Sequence, residues 1–351
     1  MLNVDVEVDR RDFPVRAALS VADGERGALF GPSGAGKTTV LEVIAGLVAP
    51  RSGHVELGGR VLTSTAAPPV AVPPYRRRVG LLRQDPGLFP HLSVRANLLY
   101  ARSSRSGPSS RSGPTGTAGG EVGELAAELG IEGLLAAMPA RLSGGQRHRV
   151  ALGRLLLARC DALLLDEPFA SLDAALRRAL TALVKDLTAK RSVPALLVTH
   201  QLSDAQAFAD RLAVMDRGTL LQVGGPDEVV LRPASRRVAE LVGYLGFVPV
   251  ARGQGAGGDA AGGGPDGGLL AGVHPDRVLA GADPSRGPVV TGTVAAARPS
   301  GAGWEADVRA ADAAFTCRLP GRPGAELSVT LLDPPYFGPD GARVELGAQA
   351  G

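Results

Sequence analysis

The sequence predicts an α/β protein whose main domain is built on a parallel sheet and is followed by a small all-β module. Short apolar runs, such as residues 28–30, Ala162–Asp166 and Ala195–Thr199, alternate with longer stretches of helical periodicity. Strands that alternate with helices in this way form parallel sheets covered on both faces. After a second glycine-rich stretch, the pattern changes to short alternating segments, which is typical of a β-barrel or sandwich.

Composition sets the first limits. The 351 residues suit one large domain and a smaller one, and with 44% hydrophobic but only 4% aromatic residues, Ala, Val and Leu must fill the core. The net charge of +3 gives little support for a nucleic-acid partner. Cys160 and Cys317 fall in different predicted domains, which predicts buried thiols rather than a disulfide framework.

The sequence also lacks a recognisable membrane or export segment. The first 11 residues alternate Val with charged and polar residues, which predicts a half-buried strand and not a secretory signal. No stretch approaches the roughly 18 apolar residues that a spanning helix needs. If the protein works at a membrane, we expect another chain to cross it.

The remaining elements follow from periodicity along the chain. A helix is predicted at 37–47, directly after the strand that contains 28–30. Further helices are predicted at 121–135, 146–158 and 172–189. Further strands are predicted at 54–57, Val79–Leu82, 211–215, 289–294, 304–309, 314–319 and Glu326–Leu331.

Two compositional breaks suggest the domain organisation. Residues 102–120 are almost entirely Ser, Gly, Arg, Pro and Thr, which predicts a disordered insertion. Helical character fades after Val242, and Gly, Ala and Asp dominate the residues that follow. We therefore predict a main domain at 1–242, with a helical subdomain at about 86–158, a linker at 243–268, and a β module at 269–351.

A Gly-x4-Gly-Lys-Thr pattern lies between the predicted strand and helix near residue 30. Glycines there allow consecutive backbone N–H groups to point at phosphate oxygens, and the helix start adds its positive end. Lys37 would supply a point charge for the β- and γ-phosphates, and the Thr38 hydroxyl suits Mg²⁺. The predicted phosphate-binding residues are Gly31, Pro32, Ser33, Gly34, Ala35, Gly36, Lys37, Thr38 and Thr39. A glycine-rich turn that binds nothing is the alternative, which the flanking strand and helix disfavour.

Two adjacent acids end the apolar run at 162–166. Ligand sites in open α/β sheets lie at the carboxyl ends of strands. From there Asp166 can hold Mg²⁺, usually through water, and Glu167 can accept a proton from an attacking water molecule. The alternative is a solvated loop entry, which the presence of the glycine loop disfavours.

A second candidate anion site comes directly before the helix at 146–158. In Leu-Ser-Gly-Gly-Gln, the small residues Ser143, Gly144 and Gly145 leave backbone N–H groups exposed at a helix start, with Gln146 following. A serine N-cap alone would not require two glycines. The glycine loop, this segment and Asp166-Glu167, in this order, resemble the nucleotide-binding subunit of an ATP-binding-cassette (ABC) transporter.

The resemblance implies roles for further residues. In this family the segment at 143–146, called the signature, covers the nucleotide held by the glycine loop of a partner subunit. One chain carries one of each, which implies a homodimer with two ATP sites. Three more positions match family positions: Gln84 contacts Mg²⁺ and the attacking water, Asp173 bridges the dimer, and His200 contacts the γ-phosphate. Phe13 is the candidate to stack on adenine, or else a core residue of the first hairpin.

The chain resembles the importer branch along nearly its whole length. Residues 86–98 match the segment that receives the permease's coupling helix, where Leu88, Phe89 and His91 are the expected contacts; ordinary core packing is the alternative for the Leu-Phe pair. Residues 73–80, followed by Gln84 and Asp85, look most like molybdate-importer ATPases, and sulfate, iron and polyamine importers share much of this pattern. The C-terminal module resembles the family's regulatory (TOBE/MOP-like) barrel, although the 285–287 turn lacks the Asn of a molybdate site.

This resemblance implies a specific function. The expected protein is an ATPase with the cofactors ATP and Mg²⁺, bound peripherally at the cytoplasmic face of the cell membrane. Its expected partners are a second copy of itself, permease subunits and, indirectly, a solute-binding protein, without nucleic acid. The expected solute is molybdate or a related oxyanion. Import of sulfate, iron or polyamine is the alternative, and an export-type or soluble ABC ATPase is a more distant one.

Overall fold

The computed structural model of the chain describes residues 1–103, 115–170, 172–250, 269–301, 303–310 and 313–345. It divides into two compact units, residues 1–226 and 227–351. None of the helices in these ranges is long and apolar enough to cross a membrane.

The first unit contains a single large sheet with helices packed against it. Its strands are β1 (Leu2–Val8), β2 (Val15–Val21), β3 (Arg26–Phe30), β4 (Ser52–Leu57), β5 (Arg60–Ser64), β6 (Val70–Ala71), β7 (Val79–Leu82), β8 (Ala162–Asp166), β9 (Ala195–Thr199), β10 (Arg211–Asp216) and β11 (Thr219–Gly224). Its helices are α1 (Lys37–Ala45), α2 (Val94–Ser103), α3 (Thr115–Glu128), α4 (Gly144–Leu157), α5 (Ala174–Arg191) and α6 (Leu202–Phe208), with 3-10 turns at Pro74–Arg76, Glu132–Leu134 and Pro139–Arg141.

The sheet has a parallel half and a largely antiparallel half. The order is β6-β5-β4-β1-β2-β11-β10-β3-β9-β8-β7. Strands β10, β3, β9, β8 and β7 are mutually parallel, whereas β1 pairs antiparallel with β2 and β4, and β5 with β4 and β6. The predicted parallel sheet is therefore confirmed as one half of a mixed sheet. The sequence pattern had not shown that β2, β5, β6 and β11 extend it.

Register brings four strand ends to one edge of the sheet. Phe30 of β3 pairs with Thr199 of β9, and Asp166 of β8 pairs with Val198 of β9. Strand β7 runs beside β8, with Leu82 opposite Leu165. Because all four strands are parallel, the residues that follow them lie along the same carboxyl edge.

Burial explains why these strands form where they do. All five residues of β8 and all five of β9 are buried, as expected for parallel strands covered on both faces. Helix α1 ends at Gly46, whose left-handed conformation lets its N–H reach back to the Val43 carbonyl. Helix α1 also packs within the same buried core as the strands of both halves of the sheet.

The prediction of a disordered insertion at 102–120 is wrong at both ends of that stretch. Helix α2 continues to Ser103 and α3 begins at Thr115, so both ends of that stretch are helical. Helix α3 is held by the buried residues Val122, Leu125 and Ala126, and such an anchor allows a polar first turn to form without apolar residues of its own. Residues 104–114 lie outside the described residues.

The second unit contains two helices and two sheets. Its helices are α7 (Pro226–Leu231) and α8 (Arg236–Leu241). Its strands are β12 (Phe247–Val250), β13 (Leu269–Gly272), β14 (Val278–Ala280), β15 (Val289–Ser300), β16 (Gly303–Ala310), β17 (Ala313–Leu319), β18 (Glu326–Leu331), β19 (Tyr336–Phe337) and β20 (Arg343–Val344). One sheet has the order β12-β13-β19-β20 and the other β14-β18-β15-β16-β17, and one core, which includes Val248, Val308 and Phe315, joins them.

The second unit begins earlier than the predicted boundary at 242. The Tyr244 hydroxyl donates to the Val230 carbonyl of α7, and the Arg236 N–H of α8 donates to the Gly341 carbonyl. These bonds join both helices to the β module. Part of the predicted linker is also a strand, because β12 at 247–250 pairs with β13; residues 251–268 lie outside the described residues.

Candidate functional site

The glycine loop connects β3 to α1 at the carboxyl edge of the sheet. Gly34 and Gly36 have positive φ angles of 81° and 104°, which glycine adopts without strain. A Cβ on Gly31 would lie 2.0 Å from the Met215 carbonyl oxygen, and one on Gly36 would lie 2.7 Å from Val15. The loop is therefore closely packed against β10 and β2. Contact with these strands requires glycine at positions 31 and 36, and a positive φ favours glycine at 34 and 36.

The Lys37 side chain forms hydrogen bonds to the backbone of the glycine loop. Its side chain is only 6% exposed, and its Nζ donates to the carbonyl oxygens of Gly31 and Pro32, both at 2.8 Å. Burial lowers the pKa of the Lys37 ammonium, and the negative charges of Glu167 and Asp166 act in the opposite direction. The hydrogen-bond partners of the Lys37 ammonium are thus neutral carbonyl oxygens, which an anion can replace.

Thr38 and Asp166 meet beside Lys37. The Thr38 Oγ1 donates to Asp166 Oδ2 at 3.0 Å, and Asp166 is 4% exposed. Burial raises the pKa of the Asp166 carboxyl, and the Thr38 hydrogen bond opposes that shift. A hydroxyl and a carboxylate oxygen side by side are hard ligands of the kind Mg²⁺ prefers, with its other positions left to phosphate and water. These residues therefore fit the predicted magnesium site.

Glu167 and His200 form a close pair at the ends of β8 and β9. The Glu167 Oε1 accepts a hydrogen bond from the His200 N–H at 3.0 Å and lies 2.7 Å from His200 Nδ1. The Thr199 hydroxyl donates to Glu167 Oε2 at 3.4 Å. Glu167 has a left-handed φ of 50°, and its N–H donates to the Val198 carbonyl. Such a conformation costs on the order of 1 kcal/mol in a non-glycine residue. Strained conformations of this kind cluster at functional positions.

Gln84 lies two residues beyond the end of β7, next to the strand that carries Asp166. Its side chain is exposed. The sheet therefore brings Gln84 to the same edge as Asp166, Glu167 and His200, although no hydrogen bond between Gln84 and these residues is present among the described residues.

An arginine that sequence reasoning missed supports the glycine loop from outside. Arg10 donates to the Thr39 hydroxyl through Nε at 3.1 Å and Nη2 at 2.7 Å, and it forms an ion pair with Glu42 of α1. The sequence separation of about thirty residues gives no local signal for this contact.

The signature segment begins α4 with a complete capping box. The Gln146 N–H donates to Ser143 Oγ at 3.2 Å, and the Ser143 N–H donates to Gln146 Oε1 at 2.8 Å. Ser143 and Gly144 are exposed, and a Cβ on Gly144 would meet nothing within 4 Å. Within the described ranges no hydrogen bond joins this segment to the glycine loop. The two predicted anion sites are therefore not assembled with each other through hydrogen bonds in one chain.

Asp173 acts as the N-cap of α5. Its Oδ1 accepts hydrogen bonds from the backbone N–H groups of Leu176 at 2.9 Å and Ala175 at 3.0 Å. These bonds lower the pKa of the exposed Asp173 carboxyl. Its predicted bridging role in a dimer stays a prediction, and the neighbouring Ser171 lies outside the described residues.

The predicted permease-contact segment is part of an aromatic cluster. The ring centroid of Phe89 lies 4.3 Å from that of Tyr100 and 6.1 Å from that of His91, and Arg154 lies over the Phe89 ring. Phe89 and Leu88 are half-buried, while His91 and Tyr100 are exposed. The cluster thus has an accessible face, and core packing accounts for only part of it.

Phe13 packs within the first unit. It is half-buried against the core and lies against Gly218, where an added Cβ would be 2.7 Å from the Phe13 ring. This agrees with the hairpin-core alternative, and a role in binding adenine stays a prediction.

Comparison with known proteins connects this geometry to a family. The ABC transporter family matches residues 16–170, which include the glycine loop, the signature, Asp166 and Glu167. The chain is 40% identical over 244 residues to the molybdate/tungstate import ATP-binding protein WtpC of Thermococcus kodakarensis, covering 69% of this chain and 70% of that protein. This chain belongs to the ABC transporter family.

Other similarities agree with the family. The chain is 40% identical over 239 residues to the Fe(3+) ions import ATP-binding protein FbpC of Pseudomonas fluorescens, covering 68% of this chain and 64% of that protein. The match thus spans slightly less than two thirds of that relative's length. A solved ATP-binding subunit of an ABC transporter matches with a TM-score of 0.56 and 27% identity, covering 69% of this chain and 94% of that chain. As in that subunit, the ABC fold of this chain is a P-loop α/β cassette.

Proposed function

We propose that this chain is the ATP-hydrolysing subunit of an ABC import system. The observation that carries this proposal is the Glu167–His200 pair, held 2.7 Å apart at the sheet edge that also bears Lys37 and Asp166. A glycine loop alone would support nucleotide binding only. A half-buried carboxylate paired with an imidazole, beside a phosphate-binding cation, supports hydrolysis.

Each residue has a distinct task in the proposed reaction. Lys37 exchanges its carbonyl partners for β- and γ-phosphate oxygens when ATP enters the glycine loop. A water molecule then attacks the γ-phosphorus as the bond to the β-phosphate oxygen breaks, and Glu167 accepts the proton that the water releases. His200 holds the Glu167 carboxylate through Oε1 and can contact the γ-phosphate. Thr38 and Asp166, with Gln84 as a further predicted ligand, would hold Mg²⁺, which would neutralise charge on the phosphates.

We further propose that the active form is a homodimer with two composite sites. The exposed backbone of Ser143 and Gly144 would cover the nucleotide bound by the glycine loop of a second copy, together with Asp173. Exposure of Gly144 at the start of α4 supports the proposal, because N–H groups at a helix start attract phosphate. Closure of the dimer would then act on a membrane permease through the aromatic cluster around Phe89. We therefore propose that the subunit is bound peripherally at the cytoplasmic face of the membrane.

The proposed solute is an oxyanion, with molybdate first. The molybdate-like pattern at 73–80 and the similarity to a molybdate/tungstate import protein support this choice. Similarity to an iron import protein at the same identity makes iron the competing solute. Uptake of radiolabelled molybdate, sulfate and iron, measured with and without the gene for this chain, tests it. Loss of molybdate uptake is expected, and loss of sulfate or iron uptake alone would contradict the choice.

The hydrolytic role is tested by Glu167→Gln. The substitution keeps the shape of the side chain but removes the base, so we expect ATP turnover to fall on the order of 10²–10⁴-fold while ATP binding persists. Glu132→Gln, at an exposed glutamate outside the site, is the matched control and should hydrolyse ATP normally. Near-normal turnover by Glu167→Gln would remove Glu167 as the base.

A further inference from the structure

Arg177 occupies an unfavourable position for a cation. It lies in the first turn of α5, where the positive end of the helix dipole repels it. The side chain is nevertheless well fixed. Its Nη2 donates to the Leu172 carbonyl at 3.2 Å, and its Nη1 donates to Gln201 Oε1 at 2.9 Å. Arg177 is therefore stabilised by partners that lie outside its own helix.

The two partners of Arg177 belong to different functional segments. Leu172 is the residue before Asp173, the predicted dimer-bridging residue. Gln201 directly follows His200. The guanidinium thus connects the loop before α5 to the turn after β9, and its planar fork fixes both distances at once.

The turn after β9 is held on its other side by Glu167. The Gln201 N–H donates to Thr199 Oγ1 at 3.0 Å, and Thr199 Oγ1 donates to Glu167 Oε2. The His200 N–H donates to Glu167 Oε1. The segment that carries His200 therefore lies between the proposed base and Arg177.

A buried carboxylate fixes the orientation of Arg177. Asp204 of α6 is 6% exposed, and its Oδ1 lies 3.5 Å from Arg177 Nη1. Burial raises the pKa of the Asp204 carboxyl, an effect that the charge of Arg177 opposes. A buried carboxylate requires a nearby cation to remain charged, so this pair restrains the guanidinium where it meets Gln201.

We propose that Arg177 is a positioning residue that ties the Asp173 loop to the turn carrying His200 and so sets the geometry of the Glu167–His200 pair. This rests on the proposed ATPase function. Arg177 lies outside the phosphate site, since Lys37 and the glycine loop make none of its contacts. If a second copy docks against the Asp173 loop, a shift of that loop would be transmitted to the His200 turn through the Arg177 side chain.

The experiment compares Arg177→Met with Arg178→Met in the full-length chain. Arg178 lies next along the same helix turn but is exposed, so it provides the same change in charge without the contacts. Steady-state hydrolysis yields kcat and KM for ATP. We expect kcat of Arg177→Met to fall by about tenfold or more, because misplacement of catalytic groups by roughly 1 Å costs up to 10²-fold. KM should stay within about twofold, because the glycine loop is untouched.

Two less disruptive variants test the positioning role of Arg177 even if Arg177→Met fails to fold. Arg177→Lys retains a cation beside Asp204 but loses the fork, and should show an intermediate kcat with unchanged KM. Gln201→Ala removes one acceptor and leaves the Arg177–Asp204 pair intact. Its loss in kcat should be smaller in the Arg177→Lys background than alone, because both changes break the same contact.

The outcomes separate this inference from the proposed function. If the wild-type chain hydrolyses ATP and Glu167→Gln does not, but both Arg177 variants have wild-type kcat, the positioning role is wrong and the ATPase function stands. A parallel loss of kcat in Arg178→Met, or a rise in KM that accounts for the whole effect, would also overturn it. If the wild-type chain hydrolyses no ATP, the proposed function itself fails.

Discussion

The glycine loop and the signature segment present the same chemistry in opposite surroundings. Both place small residues at a helix start, where free backbone N–H groups attract anions. The glycine loop is enclosed: Lys37 is buried, and Gly31 touches the Met215 carbonyl of β10. In the signature segment Ser143 and Gly144 are exposed, and the side chains of Ser143 and Gln146 cap each other's backbone N–H groups. One anion site is completed by its own chain, whereas the other presents its backbone outward.

This contrast extends to the helices behind the loops. The far end of α1 is held by Arg77, which is buried and donates to the Val43 and Ile44 carbonyls at 3.0 Å. Helix α1 is therefore fixed at its start by the packed glycine loop and at its end by Arg77. A loop restrained in this way is ready to bind before a ligand arrives, which lowers the entropic cost of binding.

The largest expected effect is on nucleotide binding by the enclosed site. Lys37→Met removes a cation that would make two charge-assisted hydrogen bonds to phosphate, worth about 4 kcal/mol or on the order of 10³-fold in affinity. Titration calorimetry with Mg·ATP measures this loss. Lys190→Met, at an exposed lysine of α5, is the control and should bind as the wild type does. Affinity within threefold of wild type in Lys37→Met would mean that the glycine loop does not hold the phosphates.

The next effect concerns the anchor of the enclosed site. Arg77→Met removes the side-chain donor of the Ile44 carbonyl and one of the two donors of the Val43 carbonyl, and we expect the free energy for opening α1 to fall by about 3 kcal/mol. Native-state hydrogen exchange at the α1 amides measures that free energy. Arg76→Met, which removes an exposed arginine, should change it by less than about 0.5 kcal/mol. Equal effects of the two substitutions would contradict the anchoring role.

A smaller effect, on stability, is expected when one glycine in each of the two loops is replaced by alanine. Gly36→Ala forces a Cβ to within 2.7 Å of Val15 at a φ of 104°, and should destabilise the first unit by about 2 kcal/mol. Gly144→Ala meets open space, and should change stability by less than about 0.5 kcal/mol. Thermal denaturation followed by circular dichroism compares the two. Similar destabilisation by both substitutions would show that the glycine loop is packed no more closely than the signature segment.

Local patterns predicted the parts of the molecule that depend on local chemistry. Strands β8 and β9 begin and end where predicted, because buried parallel strands are continuous apolar runs with clear ends. The cap at the signature is visible as Ser143 followed three residues later by Gln146. The order of strand ends then brings Gln84, Glu167 and His200 to one edge.

Long-range packing was not predictable in the same way. Nothing near Gly31 indicates that the Met215 carbonyl will lie against it, and nothing near Arg177 indicates a bond to Gln201. These contacts join segments that are 24 or more residues apart. Likewise, the four residues of β12 gave no clear signal alone and form a strand because β13 is available to pair with them.

The central claim is that the exposed signature completes the nucleotide site of a second copy. Sedimentation velocity of Glu167→Gln with saturating Mg·ATP tests it, because the variant should bind ATP without consuming it. We predict a monomer without ATP and a dimer with it, and a monomer in both conditions after Gly144→Asp is added, since the new carboxylate would face phosphate. A chain that stays monomeric with bound ATP, or a Gly144→Asp variant that dimerises equally well, would contradict the account.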